Sequence, residues 1–172
     1  MTKPLQRHIC DKFRFSKIYE KYAQSLCDIL YYKYGNVLSP EDKVQEAFIK
    51  LWEHCAKVAP EAAKTFLYKT ANNLMLNAAK HQNVVLKYRS IKPKDYTNES
   101  PEFMMRKKEF LLRYQKALSN LKEEERVAFL LSKVDGKTHK EIGELLGITK
   151  KVAEHRIYAA LNKLKEQLEE LN

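Results

Sequence analysis

The chain has 172 residues, of which 44% are apolar and 31% charged, so it holds enough hydrophobic area for a core and is neither disordered by composition nor fibrous. Four glycines and five prolines are too few for the repeated tight turns of an all-β sandwich. The net charge of +10 is carried by both halves, with 13 cations against 8 acids over residues 1–84 and 15 against 11 over residues 106–172, which suits two regions that each approach a polyanion better than a basic tail on a neutral body.

Phe15, Ile18, Tyr19, Tyr22, Leu26, Ile29 and Leu30 recur at three- and four-residue steps, the stripe of an amphipathic helix, which Gly35 and Asn36 end. Ser39, Pro40, Glu41 and Asp42 then read as an N-cap, a first-turn proline and acids over the positive end of a helix dipole. Val44, Ala47, Phe48, Leu51, Trp52 and Cys55 are the expected inward stripe of this second helix. A third is expected from near Pro60, with Phe66, Leu67, Ala71, Leu74 and Ala78 as its core side. Between Val84 and Glu102 the periodicity fails, and Arg89, Ser90, Lys92, Pro93, Lys94, Asn98 and Ser100 read as a polar linker, set here at residues 85–105. Residues 80–94 hold five cations and no acid, a basic strip that a solvated linker explains nearly as well.

In the second half, Ser100 and Pro101 open a helix carrying Phe103, Phe110, Leu111 and Tyr114. Another follows from Leu121, with Val127, Leu130 and Leu131 inward and Gly136 as a left-handed stop. Thr138 and Glu141 then form a capping box, Ile142, Leu145 and Leu146 give one apolar side, and Gly147 turns the chain. Thr149 caps a last helix whose inward face is Ala153, Ile157, Ala160, Leu161, Leu164 and Leu168. A short helix, a glycine turn and a longer helix make a helix-turn-helix. The fold class expected is therefore all-α: two small helical domains, residues 1–84 and 106–172, joined by a flexible linker.

Opposite its apolar stripe the last helix presents Lys151, His155, Tyr158 and Asn162, with Glu154 and Arg156 on its flanks. Such side chains meet base edges in the major groove while phosphates supply most of the affinity; an ordinary solvated helix face is the bland alternative. On the third helix Lys69, Asn72, Asn73, Asn77, Lys80 and His81 accompany Phe66 and Tyr68, and amides, cations and rings together suit unstacked bases of a single strand. For Phe66, core burial is the simpler reading. Trp52, beside Asp42, Gln45 and Glu46, is either an anchor for a partner helix or the core of a small domain.

Three cysteines, Cys10, Cys27 and Cys55, at no recognisable spacing specify neither a disulfide framework nor a four-ligand zinc site, so a reducing compartment is the default. His54 and Cys55 are neighbours, but adjacent helical side chains point about 100° apart, and no second ligand pair lies at usable spacing. No metal or other cofactor is expected. No apolar run approaches the roughly 20 residues of a membrane span, and the first ten residues lack a signal peptide's apolar centre; the expectation is a cytoplasmic protein without direct membrane insertion. No glycine-rich phosphate loop, nucleophile elbow or H-E-x-x-H pattern occurs, so neither catalysis nor a small-molecule substrate is expected.

The runs 42–52 (DKVQEAFIKLW) and 66–74 (FLYKTANNL) and the stretch 121–164 together resemble a bacterial RNA polymerase sigma factor of the sigma-70 family, extracytoplasmic function (ECF) group. The resemblance spans nearly the whole chain, and its blocks fall in the family's order. It implies a dissociable, non-enzymatic subunit whose first domain binds core polymerase and opens the promoter at the -10 element, while the C-terminal domain reads the -35 element as duplex. By matching position, Asp42, Gln45, Glu46, Leu51 and Trp52 would dock on the β′ coiled coil. Lys69, Asn72, Asn73, Asn77 and Lys80 would line the -10 strand, with the loop over residues 57–64 holding an extruded base. Thr138, Lys150, Lys151, Glu154, His155, Arg156 and Tyr158 would meet the -35 duplex. The polymerase β flap, promoter DNA and an anti-sigma protein are the other implied partners. This chain departs from many members in carrying Asn72 and Asn77 in the -10 helix, Glu154 where lysine is common, and Gly143 for a usual alanine. The competing reading is a free-standing helix-turn-helix regulator that binds duplex DNA as a dimer, which sedimentation would separate from a monomer.

Overall fold

A computed structural model describes residues 9–36, 38–80 and 101–169. Among these residues the regular structure is helical: α1 (Lys12–Tyr34), α2 (Pro40–Glu53), a 3₁₀ turn (Pro60–Ala62), α3 (Ala63–Ala79), α4 (Pro101–Asn120), α5 (Glu123–Lys133), α6 (His139–Leu146) and α7 (Lys150–Glu169). The chain divides into two compact units, residues 1–85 and 86–172. The linker expected over residues 85–105 falls outside the described residues except where α4 begins within it, at Pro101. Of the basic strip only Lys80 is described, and His81 and the side chain of Phe103 lie outside.

In the first unit α1, α2 and α3 pack on one another around Leu26, Leu30, Val44, Ala47, Phe48, Leu51, Leu67, Ala71 and Met75, with Ile9 sealed beneath the segment that leads into α1. Asp11 caps α1 by accepting from the Arg14 amide at 2.9 Å, and Gly35 ends it at φ 75°. The start of α2 departs from expectation: Ser39 occupies the N-cap, but at φ 47° its side chain makes no capping bond. Its carbonyl instead accepts from the amides of Asp42 and Lys43. The buried stripe of α3 is Ala63, Leu67, Ala71 and Met75, a strict four-residue step that leaves Phe66, Leu74 and Ala78 only half-buried.

Cys10 and Cys55 form a disulfide across a sequence separation of 45 residues. The sequence pattern pointed to reduced thiols. The pairing arises because the segment before α1 lies against the end of α2, a proximity that no local spacing encodes. Cys55 is thereby withdrawn from any metal reading, and His54 directs Nδ1 to the Lys50 carbonyl at 2.8 Å.

In the second unit α7 packs on α4, α5 and α6. Its stripe of Ala153, Ile157, Ala160 and Leu164 is buried with Val127, Leu130, Leu131 and Ile142. Two ion pairs tie α5 to α7, Glu125 with Lys163 and Glu124 with Arg156, each at 2.8 Å. Buried Arg126 donates to the Leu121 carbonyl at 3.1 Å. Among the described side chains of α4, those of Ala117 and Leu118 near its C-terminal end enter the core. Phe110, one of the apolar residues that α4 carries, is 55% exposed and stacks on Tyr114.

Candidate nucleic-acid interface

The expected site residues divide over three helices. On α2, Asp42 and Gln45 are exposed, and Glu46 sits between Lys43 and Lys50 at 3.2 and 3.7 Å. Trp52 is 40% exposed although its ring packs edge-on against Phe15 at 5.1 Å. The indole is thus both braced and presented. Leu51 does not share this surface: it is fully buried in the core and supports the helix from beneath. Ile49, missed in the sequence, is 59% exposed, and the steps 45, 49, 52 place it on one stripe with Gln45 and Trp52. The spacing was legible; the choice between the inner and outer stripe was not. A groove of about 350 Å³ beside this stripe separates α1 from α2, with Tyr19, Ala23, Cys27 and Gln45 among its lining.

On α3, Lys69, Asn73, Asn77 and Lys80 are exposed at steps of three and four residues, so they form one polar ridge. Asn72 is set differently. It is half-buried, and its Oδ1 accepts from Lys33 Nζ and from Tyr34 OH, both at 2.8 Å. Lys33 and Tyr34 were not singled out, and no sequence signal could have found them, because the contact joins residues 39 and 38 positions apart. Tyr68 is half-buried and turns its hydroxyl inward. Its hydroxyl is buried without a hydrogen-bond partner among the described residues, and burial, with smaller pushes from Tyr22 and Asp28, holds the phenol well above its usual range. Phe66 leans on His54, with ring centroids 5.9 Å apart. Of the loop expected over residues 57–64 only the first part is irregular, since Pro60–Ala62 is the 3₁₀ turn and Ala63 and Lys64 open α3; Lys57 and Val58 donate to the His54 carbonyl and Ala62 to the Ala59 carbonyl.

The third surface is the helix-turn-helix of α6 and α7. Thr138 caps α6 in a closed capping box: its amide and hydroxyl donate to Glu141 Oε2 at 2.7 and 2.8 Å, and its hydroxyl accepts from the Glu141 amide at 3.3 Å. These bonds hold the Glu141 carboxyl below its ordinary range. Gly147 ends α6 in the left-handed region, at φ 68° and ψ 33°, and Thr149 caps the next helix through the Val152 amide at 3.2 Å. Gly143 is buried, and a Cβ there would stand 2.8 Å from the Ile148 carbonyl oxygen; the missing side chain is what lets the turn lie against α6.

With α7 placed by these contacts, Lys150, Lys151, His155 and Tyr158 are exposed. Glu154 is half-buried. Arg156 reaches back to Glu124, so its charge is engaged in joining two helices. Beside Thr138 and Lys150 lies a shallow basic hollow of about 350 Å³, also lined by Lys137, His139 and Lys140. Those three residues were overlooked because they precede or open a short helix and look locally like ordinary solvated charge. An amphipathic helix with an exposed polar face, flanked by cations at one end, is shaped for a groove with phosphates along its edge.

Comparison with known proteins gives the same division. Residues 18–84 match the model of sigma-70 region 2, and residues 111–164 match that of sigma-70 region 4. A curated relative, the ECF RNA polymerase sigma factor SigE of Mycolicibacterium smegmatis, is 24% identical over 159 residues, which cover 90% of this chain and 61% of that protein. The chain thus spans about three fifths of the relative's length. Two matches in the order region 2 then region 4, one on each compact unit and together covering most of the chain, establish that the chain belongs to the sigma-70 family.

Proposed function

We propose that the protein is a dissociable sigma subunit of bacterial RNA polymerase, without catalysis of its own, that directs promoter recognition and opens the promoter at the -10 element. The observation that carries this reading is the pairing of two different polar faces on separate units, the amide-rich ridge of α3 and the exposed polar face of α7. A ridge of amides and lysines suits bases exposed on one strand. A helix-turn-helix suits duplex. The reading gives each unit one of these tasks, with α2 docking on the β′ coiled coil through Trp52, Ile49 and Gln45, the second unit meeting the β flap, and the loop over residues 57–64 receiving an extruded base. Extrusion costs a few kcal/mol, which polar and stacking contacts must offset.

The reading also places the protein in the cytoplasm, where promoter DNA is found, and assigns an anti-sigma protein as its restraint. Among the described residues no helix is long and apolar enough to cross a membrane. A dimeric regulator using α7 alone would leave the first unit without a task. The test is run-off transcription with core polymerase, the full chain and a promoter library, with permanganate footprinting of opened thymines. Start-site-specific transcripts with an opened -10 segment are expected; core polymerase that gives neither with the chain added would overturn the proposal.

A further inference from the structure

The amide of Asn72 is held in one orientation by groups outside α3. Lys33 Nζ and Tyr34 OH, at the last turn of α1, both lie 2.8 Å from Asn72 Oδ1. An ammonium group has only donors, so the amide atom that faces it is the carbonyl oxygen. That oxygen has two lone pairs, and both are taken. Tyr34 is itself buried, and the Lys33 ammonium lies 5.3 Å from its ring centroid, so the two donors brace each other. Among the described residues the Asn72 Nδ2 group has no hydrogen-bond partner and is not buried. What the residue offers outward is a donor alone.

We propose that Lys33 and Tyr34 are positioning residues that make Asn72 a donor-only reader of the -10 strand, selecting a base through an exocyclic carbonyl and forfeiting the preference for adenine. This rests on the reading of α3 as the -10 surface. An unrestrained asparagine favours adenine because its oxygen accepts from N6 while its nitrogen donates to N7. With the oxygen consumed, the N6 amino group meets no acceptor. Thymine O4 and guanine O6 need only the donor that remains.

The experiment is selection of transcripts from a promoter library randomised across the -10 element, using holoenzyme assembled with the full chain. Asn72→Ala marks the base position that Asn72 reads, as the position whose preference flattens. There the unaltered protein should favour thymine or guanine over adenine. Lys33→Met combined with Tyr34→Phe frees the oxygen and should raise the use of adenine at that position about tenfold, the scale of a good bidentate base contact. Lys33→Met alone, at a half-buried site that leaves Tyr34 in place, should give a smaller shift in the same direction, and Lys33→Arg should restore the original preference. Melting curves verify that each variant is folded. Adenine already preferred by the unaltered protein, or a preference indifferent to both Lys33 and Tyr34, overturns the inference. So does an Asn72→Ala variant that flattens no position while Lys69 and Asn73 substitutions still impair opening, a result that leaves α3 as the -10 surface. If no α3 substitution alters opening, that surface assignment falls and the inference with it.

Discussion

Gly143 illustrates how one missing side chain places a whole helix. A Cβ built there meets backbone, the Ile148 carbonyl at 2.8 Å and the Lys150 amide at 3.3 Å, and backbone cannot step aside as a side-chain tip can. Gly143→Ala is expected to cost about 1–3 kcal/mol, the range for overpacking, read as a lower urea midpoint, and to weaken binding to a -35 duplex by shifting α7. Glu141 carries a second residue-scale expectation. Its folded carboxyl titrates below its unfolded value because Thr138 donates two bonds to it. The stability it contributes is therefore present above the unfolded value and is lost as pH falls through the lower folded one. Thermal melts between neutral pH and pH ~3 should show this loss, and Thr138→Ala, which removes the hydroxyl donor and leaves the amide, should diminish it. The capping box was legible because its partners lie three residues apart. Ser39 was legible as a helix start and not as a left-handed residue, because its conformation is set by how α2 must enter the core.

At the scale of elements, periodicity located the helices but did not decide which flank of a stripe meets solvent. Leu51 and Trp52 are consecutive, yet one is sealed and the other 40% exposed. Under the proposed docking, Trp52→Ala should weaken core polymerase binding by about 2 kcal/mol or more, the threshold of an interface anchor, with a smaller drop in melting temperature than Leu51→Ala because the half-exposed indole loses only its contact with Phe15. Leu51→Ala should instead lower stability by about 2–5 kcal/mol through the cavity it leaves; fluorescence titration against denaturant melts separates the two. The Cys10–Cys55 bond joins the segment before α1 to the end of α2 across 45 residues. By the chain-entropy account, closing a loop of this length stabilises by about 4 kcal/mol. A reductant should accordingly lower the melting temperature of the first unit, Cys10→Ser should reproduce the drop, and the variant should then be indifferent to reductant.

At the scale of the molecule, the surplus of cations in both halves argues for two electrostatic contacts, and phosphate contacts release counterions. Affinity of the full chain for a -35 duplex should fall linearly with salt on logarithmic axes, and replacing Lys150 and Lys151 by Gln should make the slope shallower by about 1–2. An unchanged slope would remove these lysines from the phosphate edge. The sequence by itself determined the helical class, the order of the helices, the capped helix-turn-helix and the basic character of both halves. Each depends on composition or on signals that act within one or two turns, where the chain supplies both partners. Only the tertiary structure decided that Asn72 is held by Lys33 and Tyr34, that Arg156 answers Glu124, that Cys10 meets Cys55, and that Phe110 is exposed while Leu51 is sealed. Those contacts join residues far apart in the chain. They exist only once helices pack, and packing is fixed by the summed fit of many apolar side chains, which no local pattern contains.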